Sequence, residues 1–150
     1  MGAHEEIGIL LVEDDPMDME MTLRALQSDS VNNRIEVARD GEEALDFLFC
    51  RGAFSGRSLE MQPKLVLLDL KLPKVDGLEV LREIRARPET RDIPVVVLTS
   101  SAEQRDIVET YKLGVNSYIQ KPVDSAQFRQ TVKAAGFYWL VVNRRPIVHA

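Results

Sequence analysis

Short, unbroken apolar runs recur along the chain, and each stops abruptly at polar residues. Ile9-Leu10-Leu11-Val12 ends in Glu13-Asp14-Asp15, and Lys64-Leu65-Val66-Leu67-Leu68 ends in Asp69. Pro94-Val95-Val96-Val97-Leu98 ends in Thr99-Ser100-Ser101. Runs of this kind read as strands buried on both faces. Arg34-Ile35-Glu36-Val37-Ala38 alternates instead, as a half-buried strand does, and Ser117-Tyr118-Ile119-Gln120-Lys121 supplies a further strand.

Helical spacing fills the intervals. Asp15-Pro16 reads as an N-cap followed by proline at the first helical position. Met19, Leu23 and Leu26 then carry a helix to about Leu26 or Gln27. After a break at Asn32-Asn33 and the second strand, Asp40-Gly41-Glu42-Glu43 resembles a capping box. Ala44, Leu45 and Leu48 give its helix an apolar face, and Gly52 is the expected stop. Turn chemistry over Leu72-Pro73-Lys74-Val75-Asp76-Gly77 precedes a helix marked by Leu78, Leu81 and Ile84, which stops by Pro88. A fourth helix runs from Ala102 to Leu113 and closes at Gly114, and Asp124 is expected to cap a fifth. The polar connection 51–63 reads equally as a functional or mobile segment and as a tolerated surface insertion. Residues 1–6 are expected to be a flexible tail, and 136–150 to extend the last helix.

Five strands alternating with five helices predict an α/β fold with a parallel sheet, as one domain over residues 1–150. Apolar content of 45% and charged content of 29% fit a soluble globular domain of that size. A net charge of −5 without any basic block argues against nucleic-acid binding. No apolar run approaches the roughly 18 residues of a membrane span. Cys50 is the single cysteine, so a cytoplasmic, reducing location is expected, with Cys50 as buried filler in its helix.

The chemistry lies at the strand ends. In open parallel α/β sheets, ligands gather outside the carboxyl ends of the strands, where strand order reverses. For the order 2-1-3-4-5 that point lies between strands 1 and 3, the two strands here ending in Glu13-Asp14 and Asp69. Three carboxylates in one crevice raise one another's pKa. A hard divalent cation removes the conflict, and Mg2+ with part of its water shell suits such donors. Asp15 reads as a cap only. Thr99 and Lys121 end strands 4 and 5 at the same rim. A hydroxyl, a lysine and a metal around an aspartate nucleophile suit phosphoryl transfer, which depends on positioning and charge stabilisation.

The set Glu13-Asp14, Asp69, Thr99, Tyr118 and Lys121-Pro122 resembles the receiver domain of bacterial two-component response regulators, across roughly residues 7–135. The resemblance implies a flavodoxin-like fold and a phosphoryl group accepted on Asp69 from a sensor histidine kinase. It implies that Asp14, Asp69 and the main-chain carbonyl of Lys71 ligate Mg2+, with Glu13 acting through water. Thr99 and Lys121 would hold the phosphoryl oxygens, Thr99 and Tyr118 would form the switch, and the Lys121–Pro122 peptide would be cis. It also implies a phosphotransfer signalling protein able to dephosphorylate itself rather than an enzyme in its own right. Glu13 departs from the aspartate that many members carry, which bears on metal affinity. The resemblance also implies that Lys71 and Ser101 occupy positions that would tune the lifetime of the phosphate.

No output module fits after the fifth helix, so signalling is expected to run through protein contacts. Phe128, Val132, Ala135, Trp139 and Val142 form one apolar stripe, and Phe137, Tyr138, Leu140 and Val141 widen it beyond one face. That width predicts a two-fold homodimer through strand 5 and the last helix, with folding back onto the same domain as the alternative. The 51–63 connection and the ending Trp139…Asn143-Arg144-Arg145-Pro146 resemble single-domain regulators paired with bacterial phytochrome kinases.

Several rivals fall away. A haloacid dehalogenase phosphatase needs an acid where Lys71 stands, and a dinucleotide fold needs a glycine-rich turn where Glu13-Asp14-Asp15-Pro16 stands. A histidine phosphotransfer protein needs a central histidine, whereas His4 and His149 lie at the termini. A receiver-fold binding module without phosphate turnover is the remaining rival.

Overall fold

The computed structural model describes residues 7–27, 34–121 and 126. The described strands are β1 (Ile7–Val12), β2 (Arg34–Ala38), β3 (Leu65–Leu68), β4 (Val95–Thr99) and β5 (Ser117–Gln120). Between them run α1 (Pro16–Gln27), α2 (Gly41–Leu48), α3 (Gly77–Ala86) and α4 (Gln104–Lys112). Every strand pair is parallel and the order is β2-β1-β3-β4-β5, as expected. Four α-helices are therefore present among the described residues, where five were expected for the chain. The fifth, its Asp124 cap, the 136–150 extension, the 1–6 tail and Asn32-Asn33 lie outside the described residues. No described helix is long and apolar enough to cross a membrane.

The sheet is central because its three inner strands, β1, β3 and β4, are apolar on both faces. Leu10, Val12, Val66, Leu68, Val95 and Val97 pack on one side with α2 and α3, through Phe47, Leu48, Val80, Leu81 and Ile84. Ile9, Leu11, Leu65, Leu67, Val96 and Leu98 pack on the other with Met19 and Leu26 of α1. All four residues of β3 are 0% exposed. Burying each such side chain contributes about 1.5–3 kcal/mol. With Leu10 opposite Val66 and Val12 opposite Leu68, a one-residue slip of β3 would draw Asp69 into this dry layer. An unpaired carboxylate there is strongly disfavoured, so the register holds Asp69 at the rim.

Several boundaries differ from expectation: β1 begins at Ile7 rather than Ile9, α4 spans Gln104–Lys112 rather than Ala102 to Leu113, and the end of α2 moves furthest. Helix α2 ends at Leu48, not at Gly52, because Cys50 itself takes the left-handed turn with φ +56°. Cys50 is thus half-buried beyond the helix rather than filler within it. The 51–63 connection is packed rather than loose. Phe54 meets Phe47 edge-on at 5.2 Å, and the Arg57 guanidinium lies 3.7 Å over the same ring. Arg57 also donates to the carbonyls of Phe47 and Met61, and Gln62 Nε2 donates to Leu48 O at 2.9 Å. This segment joins the end of α2 to the start of β3, so it leads into the end of β3 opposite Asp69.

Candidate functional site

Local bonding brings the polar strand ends together. The Asp69 N–H donates to Val12 O at 3.0 Å, so the β1–β3 ladder continues into Asp69. The Glu13 N–H likewise donates to Ala38 O, and the Lys121 N–H to Thr99 O at 2.6 Å. Helix α3 begins against Asp69: a Cβ on Gly77 would lie 2.2 Å from Asp69 O, so only glycine permits this approach. The Gly77 N–H donates to Leu70 O, and the Asp76 side chain caps the helix through Glu79 N. The backbone carrying Asp69 is held from both sides.

Lys121 sits among the acids. Its Nζ donates to Glu13 Oε1 at 2.5 Å, Asp18 Oδ2 at 3.0 Å and Asp69 Oδ2 at 3.3 Å. The side chains of Lys121 and Glu13 are each 2% exposed, and Asp69 is buried too. Carboxylates that look unpaired in the sequence therefore share one buried ammonium. Burial pushes the Glu13 carboxyl up to about 7, against the opposing hydrogen bond and charge of Lys121. Burial would lower the Lys121 ammonium. Its hydrogen bond to Glu13, the charges of Asp69 and Glu13 and its hydrogen bond to Asp18 outweigh it and raise the group above its ordinary value.

Asp18 was not expected. Helix α1 starts at Pro16, soon after β1 ends at Val12, so its first turn overlies the same rim as Glu13. An acid in the first turn of a helix entered this soon after a buried strand was the available signal. Asp15 caps that helix, as expected: its Oδ1 accepts from Met17 N at 2.8 Å and Asp18 N at 3.3 Å.

Glu13, Asp14 and Asp69 each offer a carboxylate oxygen, all within 4.8 Å of one another. Two are buried and Asp14 is exposed, so the group opens to solvent on one side. Hard oxygen donors at this spacing fit a small divalent cation. The Lys71 N–H lies 3.3 Å from Asp69 Oδ1. A pocket of about 410 Å³, bordered by Asp14, Lys71, Pro73, Asp76 and Arg105, adjoins the acids.

Thr99 is 0% exposed, and its Oγ1 accepts from Ser101 N at 3.3 Å. Ser101 Oγ donates to the buried Asp106 at 2.6 Å, and the Tyr118 hydroxyl donates to Ser101 O at 2.8 Å. Burial raises the Tyr118 phenol above its ordinary value, with the Ser101 bond opposing. Tyr118 is thus tied to Thr99 by hydrogen bonds through Ser101 in the β4–α4 loop. Among the remaining expected residues, Pro122 with its expected cis peptide, and Phe137, Tyr138, Trp139, Leu140 and Val141, lie outside the described residues.

Comparison with known proteins agrees with this geometry. Residues 9–133 match the response regulator receiver domain. The chain is 44% identical over 144 residues to the probable methanogenesis regulatory protein FilR2 of Methanothrix harundinacea, covering 96% of this chain and 90% of FilR2. It is 38% identical over 132 residues to response regulator Rcp1 of Synechocystis sp., covering 88% of each. The crystal structure of the Mn2+-bound form of Rcp1 matches with a TM-score of 0.85 at 36% identity, over 94% of this chain and 99% of that one. The phosphorylated cyanobacterial phytochrome response regulator RcpA matches with a TM-score of 0.86 at 40% identity, over 95% and 99%. The fold, the rim of acids with its lysine and these relatives together establish that the chain belongs to the receiver domain family of two-component response regulators.

Proposed function

We propose that this receiver accepts a phosphoryl group on Asp69 from the phosphohistidine of a sensor histidine kinase, in a Mg2+-dependent reaction. The observation that carries this reading is the Asp69 carboxylate fixed at the β1–β3 switch point with the Lys121 ammonium 3.3 Å away. An Asp69 oxygen forms the new P–O bond as the P–N bond to histidine breaks, and the electron pair leaves with the imidazole. Lys121 and Thr99 hold phosphoryl oxygens, and the pocket beside Asp14 and Lys71 admits the donor. Asp14, Asp69 and the main-chain carbonyl of Lys71 would hold the cation, with Glu13 assisting through water. When bound, Mg2+ offsets the charge that develops on the phosphoryl oxygens.

The response leaves the site through Thr99 and Tyr118. Movement of the Thr99 hydroxyl toward the phosphoryl group would disturb its bond from Ser101 N, and Ser101 O is where the Tyr118 hydroxyl is anchored. A charge event thereby changes packing at β5. The protein acts as a phosphotransfer partner that hydrolyses its own acyl phosphate, located in the cytoplasm. Similarity to RcpA supports a phytochrome-type kinase as donor. Two copies would pair through β5 and the apolar run Phe137 to Val141, and a monomer at micromolar concentration in ultracentrifugation would remove that part.

Incubation with acetyl phosphate and Mg2+ tests the central claim. Mass spectrometry should find one phosphoryl group on the wild type and none on Asp69→Ala, and a chelator should block the reaction. A wild type that stays unmodified would leave the binding-module reading. Phosphotransfer from a panel of histidine kinases would then identify the donor, with a phytochrome kinase expected to react fastest.

A further inference from the structure

We propose that Asp18 is a positioning residue for phosphoryl transfer, holding Lys121 so that one N–H of its ammonium is left for the incoming group. The inference rests on Asp69 being the phosphoryl acceptor. An ammonium has three donors, and here each meets a different carboxylate. The two shorter contacts, Glu13 at 2.5 Å and Asp18 at 3.0 Å, come from different chain segments: the end of β1 and the first turn of α1. The longest, 3.3 Å, goes to Asp69, whose oxygen gives up its free charge when the acyl phosphate forms. The N–H facing Asp69 is therefore the one that passes to a phosphoryl oxygen, while the other two keep Nζ in place.

Asp18 suits the anchoring role better than a surface acid would. Its backbone is fixed by the Asp15 cap, and its side chain is 26% exposed, so its charge is partly shielded from water. Glu13 alone could not hold the ammonium from two sides. Without Asp18, Lys121 would settle toward Glu13, drawing its third N–H away from Asp69.

The test follows Asp69 modification by acetyl phosphate and Mg2+ in the wild type, Asp18→Ala, Asp18→Glu, Lys121→Ala and the Asp18→Ala/Lys121→Ala double variant. Misplacement by a fraction of an ångström predicts a slowing of about tenfold in Asp18→Ala. Asp18→Glu should recover most of the rate, a rescue that a loss of helix packing would not give. Beryllofluoride binding provides a second readout, because it can be followed in Lys121→Ala even where that variant reacts slowly. Asp18→Ala should weaken it in the wild-type background and leave it unchanged in Lys121→Ala, since coupled residues are non-additive. An unchanged rate in Asp18→Ala, or an equal loss in both backgrounds, would overturn the inference. A wild type unmodified at Asp69 would overturn the acceptor reading, and this one with it.

Discussion

Lys121 Nζ and Glu13 Oε1 lie 2.5 Å apart with both side chains almost fully buried, yet the Glu13 carboxyl is pushed up from 4.5 to about 7. Burial outweighs the bond because one ammonium serves three acids. A carboxyl raised in the folded state favours folding below its unfolded value and loses that contribution as pH rises through its folded value. Without divalent cations, the wild type should lose stability relative to Glu13→Gln between about pH 4.5 and 7, by roughly 3 kcal/mol at most. Lys121, raised from 10.5, contributes fully throughout that window. Urea midpoints at pH 5 and 8 in chelator check this, and added Mg2+ should reverse the loss at pH 8. A wild type that gains on Glu13→Gln as pH rises would show that the Lys121 bond dominates instead.

Gly77 and Asp69 yield a second prediction. In Gly77→Ala the new methyl meets backbone, Asp69 O at 2.2 Å, so either α3 or the end of β3 must move. Overpacking of this kind costs about 1–3 kcal/mol. Because Asp69 itself is displaced, acetyl phosphate reactivity should fall about 100-fold for a shift near 1 Å. Gly41→Ala is the comparison: its methyl would lie 1.8 Å from Val75 O, in the loop between β3 and α3, and not against Asp69 O. Both variants should melt earlier, and Gly77→Ala should lose more reactivity than Gly41→Ala. Equal rates in the two would mean that α3, not Asp69, absorbs the strain.

These relationships differ in how far the chain displays them. The strands were legible because β1, β3 and β4 are continuous apolar runs, and Asp69 because it ends one of them. Helix α1 matched at both ends because Asp15-Pro16 marks its start and its apolar spacing ceases at Leu26. The end of α2 was not legible. Gly52 carries the usual stop signal, but Cys50 turns first, bringing Phe54 and Arg57 back onto Phe47. Tertiary packing overrode the local signal. The role of Asp18 was hidden for another reason: it depends on a lysine 103 residues away. The acids looked unpaired because no local pattern announces that Lys121 folds in among them.

Arg85 carries a structural prediction away from the site. Its guanidinium donates to four carbonyls: Leu113 and Ile93 at 2.8 Å, and Arg91 and Gly114 at 2.9 Å. It thereby joins the end of α3, the approach to β4 and the turn after α4. Burial lowers its pKa, with Asp92 opposing. Hydrogen bonds from charged donors contribute about 1.5–3 kcal/mol, and water can replace the exposed ones. Arg85→Ala should therefore cost about 2–3 kcal/mol in chemical denaturation. Arg85→Lys should recover less than half, since a compact ammonium cannot span the same carbonyls.

Arg57 separates stability from phosphotransfer. It stacks on Phe47 at 3.7 Å and donates to Phe47 O and Met61 O, so it closes the 51–63 connection over the end of α2. Its pKa is lowered by burial, which fits a desolvated cation–ring contact. Such contacts contribute about 0.5–2 kcal/mol, and loss of the two backbone bonds adds to that. Arg57→Ala should cost about 2 kcal/mol and increase proteolysis within 51–63. Because this segment enters β3 at the end opposite Asp69, modification by acetyl phosphate should keep its wild-type rate. A slowed reaction in a variant that remains folded would show that the connection is coupled to the site through β3, whose two ends are the loop and Asp69.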